Sequence, residues 1–175
     1  RLVLDAEAGS RFTPSKKIPW NVAADAPPEY DGTWDTAIVS VRDYQDVKRA
    51  YEWLNSGKHP FKSVVLDSIS KVFQAMRAHA QRRAGAETDR KTGVAFDEHA
   101  SINRNMQAVY TGLTELKQAG FHVVVIGHLA RKYRAQESGL QDEGLRVLAD
   151  DQIAYEADAI LLVEREGDER TITPI

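Results

Sequence analysis

Short apolar runs alternate along this chain with stretches whose apolar residues recur at helical spacing. Leu2-Val3-Leu4-Asp5 is a continuous apolar run ending in an acid, the pattern of a strand buried on both faces. Further strands are expected at Ala37–Val41, Phe61–Asp67, His122–His128 and Ala159–Val163. Between them, Tyr44, Val47, Tyr51 and Leu54 share one helical face, with Asp43 as N-cap, Asp46 in the first turn and Gly57 as the stop. Ile69, Val72, Phe73 and Met76 mark a second helix. Ile102, Met106, Val109, Leu113 and Leu116 step by 4, 3, 4 and 3, which predicts a third, long helix from about Asp97 to Gly120. A short helix is expected over Asp151–Glu156, and Gly167-Asp168 reads as a turn into a sixth strand at Thr171–Thr173.

Two segments break the alternation. From Ala8 to about Asp35 the chain is polar and carries Pro14, Pro19, Pro27 and Pro28, so regular structure is not expected there. Its Trp20, Tyr30 and Trp34 read as aromatics pinning an insertion onto the surface, and a loop of that length is commonly functional. Residues Ala84–Gly93 read as an exposed loop, and Leu129–Asp150 is polar with an ambiguous middle. Apolar strands alternating with amphipathic helices imply an α/β fold: a mainly parallel sheet with helices on both faces and an edge hairpin.

The 175 residues suit one domain, residues 1–175. With 42% hydrophobic and 28% charged residues, dominant disorder is excluded. A net charge of -3 argues against coating a nucleic acid by global charge, though not against a local basic patch. The absence of cysteine removes disulfides, thiol nucleophiles and thiolate metal sites, and fits a reducing compartment. No apolar run approaches the ~20 residues needed to cross a bilayer, so no membrane partner is expected. The chain opens at Arg1 directly on a strand and stops in the strand-like Thr171–Ile175, so a piece of a longer protein is expected.

In a parallel sheet, ligands gather beyond the carboxyl ends of the strands. That rule selects Asp5 and Glu7, Arg42 and Asp43, Asp67 and Ser68, and His128. Val64-Val65-Leu66-Asp67-Ser68 fits a Walker B pattern, in which a rigidly held anion organises magnesium near terminal phosphates. The competing reading makes Asp67 a helix cap. No G-x-x-x-x-G-K-[ST] cradle is present: Ser56-Gly57-Lys58-His59 fails at His59 and follows a helix. No G-x-G-x-x-G occurs either. His122 and His128 flank one strand about 20 Å apart and cannot share an ion. A hydrolase drawn from Ser68, His128 and Asp67 lacks the G-x-S-x-G elbow. Basic residues cluster at Arg77, Arg82, Arg83, Arg90 and Lys91, read as a solvated face. A second cluster, Arg131, Lys132 and Arg134 around Tyr133, follows the His128 strand. Cations around an aromatic suit single-stranded nucleic acid.

Together these strand ends resemble the ATPase core of RecA-type recombinases, and more closely the phage-encoded RecA-like ATP-binding proteins that include single-strand annealing ATPases. Leu2–Glu7 is similar to the strand whose following Glu activates water, Val64–Ser68 to the Walker B strand, and Val123–His128 to the strand ending in a γ-phosphate sensor. The segments Gly9-Ser10-Arg11-Phe12 and Ser56–Phe61 also resemble the phage group. The resemblance implies a P-loop NTPase sheet with an edge hairpin, incomplete at its N-terminus because the Walker A strand and helix would precede Arg1. It implies ATP and Mg2+ as ligands, Glu7 as base, Asp67 and Ser68 at the nucleotide and metal (Asp67 holding Mg2+ through water), and His128 as sensor. RecA itself has Gln at that last position. The mobile DNA-binding loop of the family maps to Arg131, Lys132, Tyr133 and Arg134, followed by the acids Glu137, Asp142, Glu143, Asp150 and Asp151. The implied whole is a homo-oligomeric ATPase acting on single-stranded DNA in recombination or annealing, in the cytoplasm of a phage-infected or prophage-bearing bacterium. Residues 1–175 alone would be inactive. The alternatives are an ATPase of the same fold in another DNA-maintenance role, and a non-catalytic nucleotide-sensing or assembly module.

Overall fold

The computed structural model describes residues 1–83, 96–136, 139–149 and 152–175. The expected loop at Ala84–Gly93, with Arg90 and Lys91, and the acids Glu137, Asp150 and Asp151 lie outside the described residues. So does the side chain of Arg83.

Five parallel strands form the central sheet: β1 (Leu2–Asp5), β2 (Lys17–Pro19), β3 (Thr36–Ser40), β4 (Ser63–Asp67) and β5 (His122–Ile126), in the order β2-β3-β1-β4-β5. Three helices pack on it: α1 (Tyr44–Asn55), α2 (Ile69–Arg83) and α3 (Phe96–Gln118). The connections β3-α1-β4 and β4-α2-α3-β5 step across the sheet in the same direction, so right-handed crossovers put these helices on one face. That face presents Leu2 and Leu4, Ala37 and Val39, Val64 and Leu66, with Val123 and Val125 beside them. Against it pack Val47, Ala50 and Leu54 of α1, Ile69, Val72 and Met76 of α2, and Ile102, Met106, Val109, Tyr110 and Leu116 of α3. At Gly112 a Cβ would lie 3.1 Å from the Tyr51 ring, so the bare backbone is what lets α1 and α3 approach.

Local chemistry explains the boundaries of α1. Asp43 Oδ1 accepts the N–H groups of Gln45 (2.8 Å) and Asp46 (3.3 Å), and Gly57 leaves the helix at φ +69°. Asp46 is itself buried, and its carboxylate takes Arg42 Nε (3.3 Å) and Arg49 Nη1 (3.4 Å).

Three features differ from the expectations. The polar segment contains a 3-10 turn (Ser10–Phe12) and strand β2, and two of its three aromatics are core residues: Trp20 and Trp34 are buried against Phe61, while Tyr30 stays exposed. β6 (Leu129–Gln136) pairs antiparallel with β7 (Gly139–Val147), where the sequence leaves the middle ambiguous and the resemblance implies a mobile loop. The closing strands β8 (Leu161–Glu166) and β9 (Glu169–Pro174), after the short α4 (Ile153–Glu156), pair among the described residues only with each other. The strand expected at 159–165 therefore lies outside the central sheet, because a Gly167-Asp168 turn satisfies its ladder locally. The outer edge of β5 has no neighbouring strand among the described residues. On the sheet face opposite the helices, exposure rises toward that edge: Val3 is 9% exposed and Val124 50%.

Candidate functional site

The outgoing connection of β1 leads one way across the sheet and that of β4 the other, so a crevice opens beyond their carboxyl ends. Asp5 and Asp67 are register partners there, and Ile126 of β5 is the partner of Asp67.

Asp5 builds the loop that follows β1. Its Oδ1 accepts the N–H groups of Glu7 (3.0 Å) and Gly9 (3.2 Å). Its Oδ2 accepts the N–H of Ser10 (3.1 Å) and the Ser10 hydroxyl. Burial raises its pKa, but the Ser10 hydroxyl and the three N–H groups outweigh that and hold it below the ordinary carboxylate value. Wrapping the chain this tightly forces Ala8 to φ +56°, a conformation costly for a residue with a Cβ.

The loop presents Glu7 to the end of β4. The Ser68 hydroxyl donates to Glu7 Oε1 at 2.5 Å, and His128 Nε2 lies 2.9 Å from the same oxygen, at ion-pair distance. Glu7 Oε2 accepts no hydrogen bond from a described residue. The Glu7 side chain is 24% exposed and that of His128 43%, so the pair stays open to a ligand. Ser68 also accepts the N–H of Lys71 (3.3 Å), which caps α2. The capping alternative for Asp67 is thereby answered: Ser68 takes the cap, and Asp67, joined to it by a cis peptide, is left facing the crevice. Burial pushes the Asp67 pKa up, the charges of Glu7 and Asp5 push it further, and His128 opposes them. Three carboxylates in one crevice make a strongly negative environment that a divalent cation would relieve. Among the described residues no three metal-ligating side chains are close enough to hold an ion by themselves. Asp67 with water and phosphate oxygens suits magnesium, which keeps much of its hydration and needs few carboxylates.

His128 is fixed from both sides. Its N–H donates to Ser70 Oγ (2.9 Å) at the start of α2, and its carbonyl accepts the N–H of Leu148 (2.7 Å) just beyond β7. The hairpin β6–β7 thus springs directly from the histidine. A Cβ at Gly127 would come within 2.8 Å of Val147 Cγ1, so this glycine allows the base of the hairpin to pack onto the end of β5.

The structure therefore brings Glu7, Asp67, Ser68 and His128 together. It places Arg131, Lys132, Tyr133 and Arg134 out on β6, with Tyr133 54% exposed. There the three cations face acids of β7: Arg131 pairs with Asp142, Lys132 with Glu143 (3.3 Å) and Arg134 with Glu143 (3.6 Å). Arg42 and Asp43, at the end of β3, serve α1 instead. Two contributors escaped the sequence reading, Ser10 and Ser70. Ser10 stood only within the Gly9–Phe12 segment with no role given to it, and the signal common to both was a hydroxyl residue within five positions of a strand-end acid.

No helix among the described residues is long and apolar enough to cross a membrane. A family model described as an AAA domain matches residues 2–174. No curated protein and no solved structure matches the chain.

Proposed function

This chain belongs to the AAA domain family, an ATPase-type, nucleotide-binding family, and we propose that Glu7, Asp67, Ser68 and His128 form its ATP-hydrolysis site. The observation that carries the reading is the convergence of Glu7, Ser68 and His128 beside Asp67, at the carboxyl ends of neighbouring strands. Glu7 Oε1 is held by the Ser68 hydroxyl with His128 Nε2 beside it, which leaves Oε2 to take a proton from water. The water oxygen bonds to the γ-phosphorus, the bond to the β-bridging oxygen breaks, and the proton passes to Glu7, leaving ADP and phosphate. His128 Nε2, 2.9 Å from that carboxylate, exchanges it for a γ-phosphate oxygen. Asp67 would hold magnesium through water, and the ion would supply charge neutralisation on the phosphates.

The phosphate cradle, in this reading, lies on a further strand paired with the free edge of β5. Two observations support it. That edge carries the exposed Val124 and Ile126, and β8–β9 exposes Leu161, Val163 and Ile172 although a lone two-stranded ladder is marginal in water. In this proposal the complete protein is a homo-oligomer that uses ATP in phage-type DNA recombination or single-strand annealing. Arg131, Lys132 and Arg134 contact phosphates and Tyr133 stacks on a base. The supporting observation is the covalent and hydrogen-bonded continuity between His128 and the hairpin.

The test compares the complete natural protein with residues 1–175. Magnesium-dependent ATP hydrolysis and annealing of complementary strands by the first, with negligible hydrolysis by the second, are expected. Strong hydrolysis by residues 1–175 alone would remove the cradle assignment. Hydrolysis without annealing would favour another task for the same ATPase.

A further inference from the structure

The cations on β6 are exposed, yet each is paired with an acid of the facing strand. Arg131 lies against Asp142, whose Oδ1 is in turn fixed by the N–H of Gly144 at 2.8 Å. Glu143 bridges Lys132 and Arg134 from the facing strand. A carboxylate offers a guanidinium or ammonium group the same charge and nearly the same oxygen fork as a phosphate. Three cations facing two acids leave the hairpin almost neutral, while Tyr133 between them remains uncovered.

We propose that Asp142 and Glu143 act as built-in phosphate mimics that hold the cations of β6 closed until a nucleic-acid backbone displaces them. This rests on the reading of the hairpin as a single-strand contact. The arrangement makes the hairpin a weak binder at rest. A strand must exchange places with the carboxylates, and those carboxylates then lie close enough to repel it. Exposed ion pairs are individually weak, so displacement needs no large driving force. If the pairs served only to hold β6 on β7, removing the acids would loosen the hairpin and lower affinity. The competitor role predicts the opposite sign.

The experiment measures binding of a fluorescent oligo-dT to the complete protein by anisotropy across a salt titration. The parent is compared with Asp142→Asn/Glu143→Gln and with a variant carrying Ala at 131, 132 and 134. The acid variant should bind about tenfold more tightly at low salt, with a salt slope steeper by roughly 0.7 for each phosphate newly engaged. The cation variant should bind more weakly than the parent, with a shallower slope. Glu143→Gln alone frees Lys132 and Arg134 while leaving Arg131–Asp142 intact, and should gain about threefold even if the double variant disturbs the hairpin. Equal or weaker binding by both acid variants, with the cation variant still impaired, would overturn the proposal and leave the single-strand contact standing. No binding by any of the proteins would remove the contact itself and the proposal with it.

Discussion

Replacing Asp5 with Asn changes one atom and tests the local architecture of the site. Each carboxylate oxygen of Asp5 serves two donors: the N–H groups of Glu7 and Gly9 on Oδ1, and the N–H and hydroxyl of Ser10 on Oδ2. Asparagine keeps one oxygen. Whichever way its amide turns, two donors lose their acceptor and face an NH2 group instead. Hydrogen bonds to a charged acceptor contribute about 1.5–3 kcal/mol each, so the gross loss is about 3–6 kcal/mol. Relief of the buried charge and of its repulsion with Asp67 offsets part of this, leaving a net cost of about 2–4 kcal/mol. The pH dependence has a definite sign. The folded-state pKa of Asp5 lies below its unfolded value, so its contribution is present above the unfolded value of about 3.9 and is lost as pH falls through the folded pKa. Urea unfolding followed by circular dichroism, for parent and Asp5→Asn, should show the full difference at pH 7 and a shrinking one below about pH 4. A difference under about 0.5 kcal/mol at pH 7 would refute the view that this carboxylate holds the Glu7 loop in place.

Other outcomes follow from the same geometry. Asp67→Asn should raise the melting temperature in the absence of divalent cations, by no more than about 4 °C since the carboxyl is only partly buried and solvent screens its charge. The sign follows from its raised pKa: the contribution of Asp67 to folding is fully present below its unfolded pKa and lost as pH rises through the folded one. A lower melting temperature for Asp67→Asn would contradict this. Ser68→Ala removes the cap of α2 and one donor to Glu7, and should cost about 1 kcal/mol in urea unfolding as well as slowing ATP turnover. Trp34→Ala should cost about 3–5 kcal/mol, because the ring is buried against Phe61 and Tyr30 and its Nε1 donates to the Glu29 carbonyl at 3.2 Å. A surface aromatic would cost far less.

The elements legible in the sequence are those with a buried face. β1, β3 and β4 stand out because both sides of a central parallel strand select apolar residues, β5 because its run of valines is β-branched although one face is exposed, and α1 because Asp43 and Gly57 mark its ends. The meeting of Glu7, Asp67, Ser68 and His128 followed from a topological rule, since the ends of neighbouring parallel strands share one edge. β2 was hidden because its three residues include Lys17 and Pro19, which only an edge strand tolerates. The β6–β7 hairpin carries charge on both strands and buries no continuous face, so it leaves no period of two to detect. Self-pairing of its cations could not be read either, because it depends on a register that the bulge between Arg131 and Tyr133 shifts. Nor could pattern alone place β8: its apolar run is compatible with a central strand, and the local Gly167-Asp168 turn decides its pairing instead.

The assignment of Glu7 as the proton acceptor is tested most directly by separating binding from turnover in the complete protein. Glu7→Gln preserves the size of the side chain and its ability to accept from the Ser68 hydroxyl at one oxygen, but the amide cannot take a proton from water. Equilibrium binding of Mg-ATP should stay within about twofold of the parent, while steady-state hydrolysis falls by about 10²–10⁴. Hydrolysis equal to that of the parent would show that Glu7 is not the base and that the convergence at these strand ends serves another purpose.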